Sequence, residues 1–250
     1  MNFQEVIELE NKIEKLQKII DHSENIVFFG GAGVSTESNI PDFRSAEGLF
    51  HMSYEYPPEK IVSYSFFMRY PEVFYEFYKN KMMVLDAMPN PAHLKLAKLE
   101  EVGKLKAVIT QNIDGLHQKA GSKNVLELHG SIWRNYCMDC KAYYEAWHVK
   151  EASGIPRCLC GGTIKPDVVL YEEGLNGRII QKTVEAIYDA DTLIIGGTSL
   201  AVYPAAGFID YFQGKNLVVI NKSNMEKSVS AHLNIDAPIG EVLGQISTFI

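Results

Sequence analysis

The sequence contains little cysteine, no long apolar run free of turn residues, and fewer basic than acidic residues. Only four of its 250 residues are cysteine, and all four lie between residues 137 and 160. A secreted disulfide framework usually distributes its cysteines along the chain, so this clustering argues against one and points to a metal. The formal net charge is −7, whereas a general binder of nucleic acid or anionic membranes needs a basic surface. We therefore expect neither nucleic acid nor membrane as a partner.

No segment has the character of a membrane span or a targeting signal. The longest uncharged run, residues 192–209, is broken by Gly196, Gly197 and Pro204, which predicts a strand, a turn and a helix start. Residues 1–20 carry charges throughout, with apolar residues at helical spacing, and predict an amphipathic helix. These features predict a cytoplasmic protein, and we expect it to be a monomer.

The fold class follows from the alternation of short apolar runs with helical patterns. Four apolar runs predict buried parallel strands, at residues 25–29, 105–109, 193–195 and 217–220. Helical patterns occur near residues 2–20, 93–103, 178–190, 201–213 and 240–249. This alternation predicts an α/β fold with a Rossmann-like parallel sheet. Polar or glycine-rich residues follow each strand, and we expect them to converge on one ligand site.

Two stretches interrupt the alternation and predict a smaller lobe. Residues 50–78 hold eleven of the 27 aromatic residues and include a predicted helix from Pro71 to about Leu85. These aromatics form either the core of a small helical module or an apolar wall over a ligand groove. The other stretch, residues 131–170, carries the cysteines. The predicted domains are a sheet domain (1–46, 86–130 and 172–250), a helical module (47–85) and a zinc-binding module (131–171).

A glycine-rich loop, GGAG at residues 30–33, follows the first predicted strand. The helix expected after it would supply amide donors and a positive dipole end to a pyrophosphate. As a dinucleotide fingerprint the loop is imperfect, because Thr36 replaces the third glycine and no clear acidic residue follows about twenty positions on. A structural tight turn is the alternative. The next loop brings together Asp42, Phe43 and Arg44, which suits a charged, flat ligand.

Three further segments place polar groups near the ends of β runs. Residues 110–117 (TQNIDGLH) offer carboxamides and a carboxylate that could bind sugar hydroxyls or an aromatic amide, with an Asx-type turn as the alternative. His129, one of seven histidines, stands at a strand end beside Gly130 and is a candidate general base, because histidine titrates near neutral pH. Residues 196–205 predict a turn into a helix whose free amides could hold phosphate.

The cysteines form two closely spaced pairs, Cys137 with Cys140 and Cys158 with Cys160. Paired thiolates in a loop-rich insertion suit tetrahedral zinc. The second pair is tighter than usual, and Gly161 and Gly162 would supply the positive φ that such a knuckle needs. Four thiolates close the coordination shell, so we predict a structural zinc.

In chain order the sequence reads GAGVS, IPDFRS, TQNIDGLH, LHGS, the two cysteine pairs, KPDVV, GTSLAVYPA and VINKS. Together these motifs resemble the sirtuin family, in its bacterial or archaeal type, over residues 25–245. The resemblance implies NAD-dependent removal of acetyl or other acyl groups from lysine side chains of proteins, with release of nicotinamide and O-acetyl-ADP-ribose. A protein mono-ADP-ribosyltransferase on the same scaffold and a non-catalytic NAD-binding module are the alternatives.

The resemblance also implies roles for individual residues. It implies His129 and Asn112 as catalytic residues, and Val169 and Tyr171 as contacts to an acyl-lysine protein or peptide. Zinc would be held by Cys137, Cys140, Cys158 and Cys160. The residues that would bind NAD are Gly31, Ala32, Gly33, Thr36, Asp42, Phe43, Arg44, Gln111, Asn112, Ile113, Asp114, His129, Gly197, Thr198, Ser199, Asn221, Lys222 and Ile239.

This sequence departs from the family pattern in places. Gly30 replaces a usual threonine, and Asn39 replaces a usual glycine, which requires a left-handed backbone that Asn tolerates. Glu172 stands where glycine is common, in a strand that pairs with the substrate backbone, and could alter peptide preference. In members that prefer succinyl- or malonyl-lysine, a Tyr and an Arg three residues apart bind the extra carboxylate. Here Tyr78 is present, but Lys81 stands three residues later in place of the arginine. We therefore predict deacetylation, with desuccinylation at least about tenfold weaker.

Overall fold

The computed structural model of the chain describes residues 3–42, 48, 56–222 and 230–248, so the predicted ligand residues Phe43 and Arg44 lie outside the described residues. The helices are α1 (Phe3–His22), α2 (Pro58–Ile61), α3 (Tyr64–Arg69), α4 (Pro71–Phe77), α5 (Pro91–Glu101), α6 (Leu116–Lys119), α7 (Ala146–Glu151), α8 (Gly177–Asp189) and α9 (Ile239–Gly244). The strands are β1 (Ile26–Gly30), β2 (Leu105–Thr110), β3 (Val125–Glu127), β4 (Gly130–Cys137), β5 (Tyr143–Glu145), β6 (Ile164–Val168), β7 (Thr192–Gly196), β8 (Asn216–Ile220) and β9 (Leu233–Ile235).

The larger sheet has six strands in the order β3-β2-β1-β7-β8-β9, and every neighbouring pair is parallel. The central strands β1 and β7 are buried along their whole length, as expected of strands covered on both faces. Phe28 packs with side chains of α1, α5 and α9 on one face, and Phe29 packs with side chains of α8 on the other. The predicted α/β fold with a Rossmann-like parallel sheet is confirmed.

A smaller part of the molecule combines an antiparallel sheet, in the order β5-β4-β6, with the helices α2 to α4. One core joins the helices to the sheet, because it contains Ile132 of β4 and four buried aromatic residues, Phe67, Phe74, Tyr75 and Tyr78. The rings of Phe67 and Phe74 meet edge to face, with centroids 4.9 Å apart. These four aromatic residues form a core, which confirms the first of the two interpretations for them. The domain boundaries stay a prediction.

Several predicted elements differ from the observed ones. The helix expected over residues 201–213 is a 3₁₀ helix over Ala205–Tyr211. Pro204 has no amide hydrogen and suits the start of a helix better than its interior, and the 3₁₀ helix begins directly after it. The helix expected from Pro71 ends at Phe77 and continues as one π turn over Tyr78–Met82. The edge strand β9 is only three residues long, too short for periodicity to reveal.

None of the helices in the described part of the chain combines the length and hydrophobicity that crossing a bilayer requires.

Two histidines are buried against each other beneath the larger sheet. His93 on α5 is 0% exposed, His117 on α6 is 1% exposed, and their ring centroids are 4.7 Å apart. Nδ1 of His93 accepts a hydrogen bond from the amide of Asn90, which caps the start of α5. Burial lowers the pKa of His93 to about 4 and, together with the charge of its neighbour, lowers the pKa of His117 to about 3.

We predict that acid destabilises the fold through this pair. In the unfolded chain both rings take up protons below about pH 6.5, whereas the folded protein resists protonation until about pH 4. The free energy of unfolding should therefore fall as pH drops below 6.5, by up to about 1.4 kcal/mol per pH unit for each histidine. Replacing His117 with Phe should make this slope shallower in urea unfolding measured between pH 7 and pH 5. An unchanged slope would contradict the assignment.

Candidate active site

A cavity of about 660 Å³ lies at the carboxyl ends of the parallel strands. Fourteen of the residues predicted to bind ligand line it: Gly31, Ala32, Gly33, Asp42, Gln111, Asn112, Ile113, His129, Val169, Tyr171, Gly197, Thr198, Ser199 and Asn221. The opposite wall comes from Val62 and Met82 of the helical part and from residues 168–173. Loops that are far apart in sequence therefore meet at one site, as the strand-end argument predicts.

Two glycine-containing loops touch through their main chains at the floor of the cavity. The amide of Gly33 donates to the carbonyl of Gly197 over 2.8 Å. A Cβ atom on Gly33 would lie 2.9 Å from the Cα of Gly197, and Gly197 itself has φ +58°. Glycine is required here for space and for backbone conformation. The helix expected after the first loop is wrong: two 3₁₀ turns, Ala32–Val34 and Thr36–Ser38, follow instead.

A hydrogen-bonded chain runs beneath the cavity through Asn112, Ser35 and Asp114. Nδ2 of Asn112 donates to Oγ of Ser35 over 3.0 Å, and this hydroxyl donates to Oδ2 of Asp114 over 2.7 Å. Oδ1 of Asp114 accepts from the amide of Leu116, so the Asx-type turn is confirmed at this residue. Burial raises the pKa of Asp114, and these hydrogen bonds act against that rise. These hydrogen bonds hold Asn112 and Asp114 in fixed positions.

Ser35 is a site residue that the sequence reasoning missed. It belongs to the GAGVS motif, but only the loop conformation shows that its hydroxyl lies between a carboxamide and a carboxylate. Its neighbour Thr36 instead is exposed and donates its hydroxyl to the carbonyl of Gly33.

His129 faces the cavity with its ring held by the main chain. Nδ1 lies 3.0 Å from the carbonyl oxygen of Gln111. A carbonyl can only accept, so Nδ1 carries the proton and Nε2 keeps the lone pair that can receive one. Burial lowers the pKa of His129, against an opposing effect of this hydrogen bond. The ring is therefore neutral at neutral pH, as a general base must be.

Thr198 ties the second glycine loop to its neighbours. Its Oγ1 accepts from Nε2 of Gln111 over 3.1 Å, and its carbonyl accepts from Nδ2 of Asn221 over 3.2 Å. The carboxyl ends of β2, β7 and β8 are joined in this way.

Of the predicted NAD residues that the structure describes, four do not line the main cavity. Thr36 and Lys222 are exposed, and Ile239 is a core residue that is 2% exposed and packs beside Gly196. Asp114 instead borders a smaller adjoining cavity of about 40 Å³, together with Ser35 and Lys81.

The four cysteines gather at one end of the antiparallel sheet. Their sulfur atoms all lie within 4.8 Å of one another, and the pairs Cys137–Cys160 and Cys140–Cys158 are 3.5 Å apart. Tetrahedral zinc with Zn–S bonds of about 2.3 Å separates its sulfurs by about 3.8 Å. The cysteines are therefore positioned to bind a metal ion and fit structural zinc, as predicted.

The two glycines after the second cysteine pair have different functions. Gly161 has the predicted positive φ, at +90°. Gly162 is needed for space, because a Cβ there would lie 2.7 Å from the sulfur of Cys137.

This arrangement defines a Rossmann-like α/β protein with a metal-binding lobe. The Sir2 family model matches residues 31–204. The NAD-dependent protein deacetylase of Clostridium perfringens (strain 13 / Type A) is 60% identical over 242 residues, which cover 95% of this chain and 99% of that protein. The protein of the same name from Cutibacterium acnes is 46% identical over 235 residues, covering 93% and 96%. The chain belongs to the Sir2 family.

Solved structures agree over nearly the whole chain. One described as "Sir2-p53 peptide-NAD+" has a TM-score of 0.83 and 37% identity, covering 92% of this chain and 95% of that chain. Another, of Sir2 with 2'-O-acetyl-ADP-ribose and a deacetylated p53 peptide, has a TM-score of 0.81 and 36% identity, with the same coverage.

We predict one zinc per chain in the purified protein. Replacing Cys137 with Ala should release the metal and destabilise the antiparallel sheet, because metal binding and local folding are coupled at such sites. Inductively coupled plasma emission spectrometry measures the zinc content, and the thermal unfolding curve measures the loss of stability. Full zinc occupancy in the variant would show that Cys137 is not a ligand.

Proposed function

We propose that this chain is an NAD-dependent protein deacetylase that releases nicotinamide and O-acetyl-ADP-ribose. The observation that carries the proposal is the position of His129, a neutral base that keeps the lone pair on Nε2 and lines the same cavity as both glycine loops. The same cavity is bordered by residues 168–173. The relatives named NAD-dependent protein deacetylase support the same activity.

The floor of the cavity fits NAD. The main chain of residues 31–33 would lie against the pyrophosphate, with no bulky side chain in the way, while Thr198, Ser199 and Asn221 would contact the adenosine end. Gln111 and Asn112 would hold the nicotinamide ribose. Asp114, at the smaller cavity, would accept a hydrogen bond from the nicotinamide carboxamide, with Ile113 beside it.

His129 would act on the ribose. Bound NAD supplies an anomeric carbon with nicotinamide as its leaving group. Nε2 of His129 would take the proton from a ribose hydroxyl, while the carbonyl of Gln111 keeps the ring in the required tautomer. Asn112, fixed through Ser35 and Asp114, would orient the sugar.

The substrate end favours a neutral acyl group. The described lining residues include Asp42, Glu172 and Glu173 but neither lysine nor arginine. Tyr78 is 0% exposed, with its ring stacked on that of Phe74 at 5.5 Å between centroids, so it belongs to the core. Lys81 borders the smaller adjoining cavity, and Lys165 is paired with Glu173. No described residue that lines the main cavity therefore offers a cation to a second carboxylate on the acyl group. Val169 and Tyr171 would contact the acyl-lysine itself.

The proposal extends to the partners of the protein, its cellular compartment and its oligomeric state. The partners are acyl-lysine proteins, and the net charge of −7 disfavours nucleic acid as a partner. The clustered thiolates fit a reducing compartment, so we place the protein in the cytoplasm. We expect a monomer.

Product analysis tests the proposal. Protein, NAD and an acetyl-lysine peptide should give nicotinamide and O-acetyl-ADP-ribose in equal amounts, and the matched succinyl peptide should have a kcat/KM at least about tenfold lower. Nicotinamide accompanied by ADP-ribosylated protein would assign the chain to transferases instead. Absence of nicotinamide would leave only an NAD-binding module. A higher kcat/KM for the succinyl peptide would contradict the predicted preference for a neutral acyl group.

The variant His129→Ala tests the base directly. Loss of a general base typically lowers the rate about 10²–10⁴-fold, while NAD affinity and the thermal unfolding midpoint should stay close to those of the parent. Deacetylation within twofold of the parent would refute the role of His129.

A further inference from the structure

The border of the cavity contains a tight turn in an unusual conformation. The amide of Glu173 donates to the carbonyl of Leu170 over 3.0 Å, and the third residue of the turn, Glu172, has φ +77°. A positive φ at the third position is the pattern of a type II turn, which favours glycine there. A glutamate in the left-handed region is strained, so other contacts must compensate.

The carboxylate of Glu172 makes those contacts with the start of α3. Oε2 accepts from the amide of Ser65 over 2.8 Å, and Oε1 accepts from Oγ of the same serine over 2.9 Å. The first amides of a helix have no partner within the helix. In α3 the amide of Tyr64 donates to the carbonyl of Tyr171, and the amide of Phe66 donates to Oγ of Ser63. The turn therefore caps two of the first three amides of α3.

We call the two hydrogen bonds from Ser65 to the carboxylate of Glu172 the clasp. The segment that the clasp fixes, residues 168–172, borders the site. Val168, Val169, Leu170, Tyr171 and Glu172 all line the cavity. At one end the amide of Val169 donates to the carbonyl of His129 over 3.0 Å, and at the other the amide of Tyr171 donates to the carbonyl of Val62 over 3.0 Å. The segment thus connects the general base to the helical part of the molecule.

We propose that Glu172 is a positioning residue for the acyl-lysine substrate. Its carboxylate clasps the turn to α3 and keeps residues 168–171 in one conformation, so that binding need not order them. This inference rests on the proposed deacetylase function. Loss of the clasp should raise KM for the peptide and leave kcat and KM for NAD nearly unchanged.

Three substitutions at Glu172 separate the effect of the clasp on peptide KM from effects of protein stability and of charge. Glu172→Ala removes both acceptors and should raise peptide KM about five- to tenfold. Glu172→Gly removes them too but relieves the strain of positive φ, so KM should rise equally while the protein unfolds at a temperature no lower than the parent. Glu172→Gln keeps an amide oxygen as an acceptor for Ser65, so KM should stay within about threefold of the parent.

A matched control is available on the same part of the molecule. Glu76 is exposed on α4 and outside the lining of the cavity. Glu76→Ala changes the net charge as Glu172→Ala does, and it should leave peptide KM unchanged.

Amide hydrogen exchange tests the clasp without any turnover. In the apo protein, exchange at Ser65 and Tyr171 should be faster in Glu172→Ala than in the parent, and close to the parent in Glu172→Gln. If the parent itself turns over no acetyl peptide, the proposed function fails and the substrate role fails with it, while exchange still shows whether the clasp exists.

Three results would overturn the proposal. Unchanged exchange in Glu172→Ala would show that no clasp operates. Faster exchange with unchanged peptide KM would show that the clasp does not position substrate. A rise in KM that is as large in Glu172→Gln as in Glu172→Ala, and confined to peptides with basic residues beside the acetyl-lysine, would assign Glu172 to direct charge recognition.

Discussion

The cavity depends on the close approach of two main-chain segments, residues 31–33 after β1 and residues 196–197 at the end of β7. Adjacent parallel strands bring both segments to the same edge of the sheet, because Gly30 pairs with Gly196 in register. Side chains would hold the segments apart: a Cβ on Gly197 would lie 2.3 Å from the amide nitrogen of Val34. Glycine lets the backbones meet, so that main chain rather than side chains forms the floor of the cavity.

From this contact a series of hydrogen bonds leads to the opposite wall. The amide of Gln111 donates to the carbonyl of Gly30, and the carbonyl of Gln111 accepts from the ring of His129. The carbonyl of His129 accepts from Val169, and Tyr171 continues the series to Val62. Main-chain groups thus set the distance between the glycine loops, the general base and the substrate segment, which is how a fold positions reacting groups.

The sequence was sufficient to predict features that follow from topology. Central strands covered on both faces are continuously apolar, so β1 and β7 were recognisable, and the strand-end rule indicated that Gln111 and Asn112 lie at the cavity they line. Features that depend on loop conformation were not accessible. Two 3₁₀ turns direct Ser35 inward and Thr36 outward, and no sequence pattern distinguishes these two neighbours. The partner of Glu172 is 107 residues away in the chain, and no local pattern indicates it.

Calorimetric titration of NAD into Gly33→Ala tests whether the glycine contact forms the NAD site. The added methyl group would meet the main chain of Gly197, which cannot move aside as a side chain can. The matched control is Gly177→Ala, where a Cβ would meet nothing within 4 Å. If the glycine contact forms the NAD site, NAD affinity falls at least about tenfold, equivalent to about 1.4 kcal/mol, in a protein that still folds, with no change in the control. A folded Gly33→Ala protein that binds NAD as tightly as the parent would contradict this role of the contact.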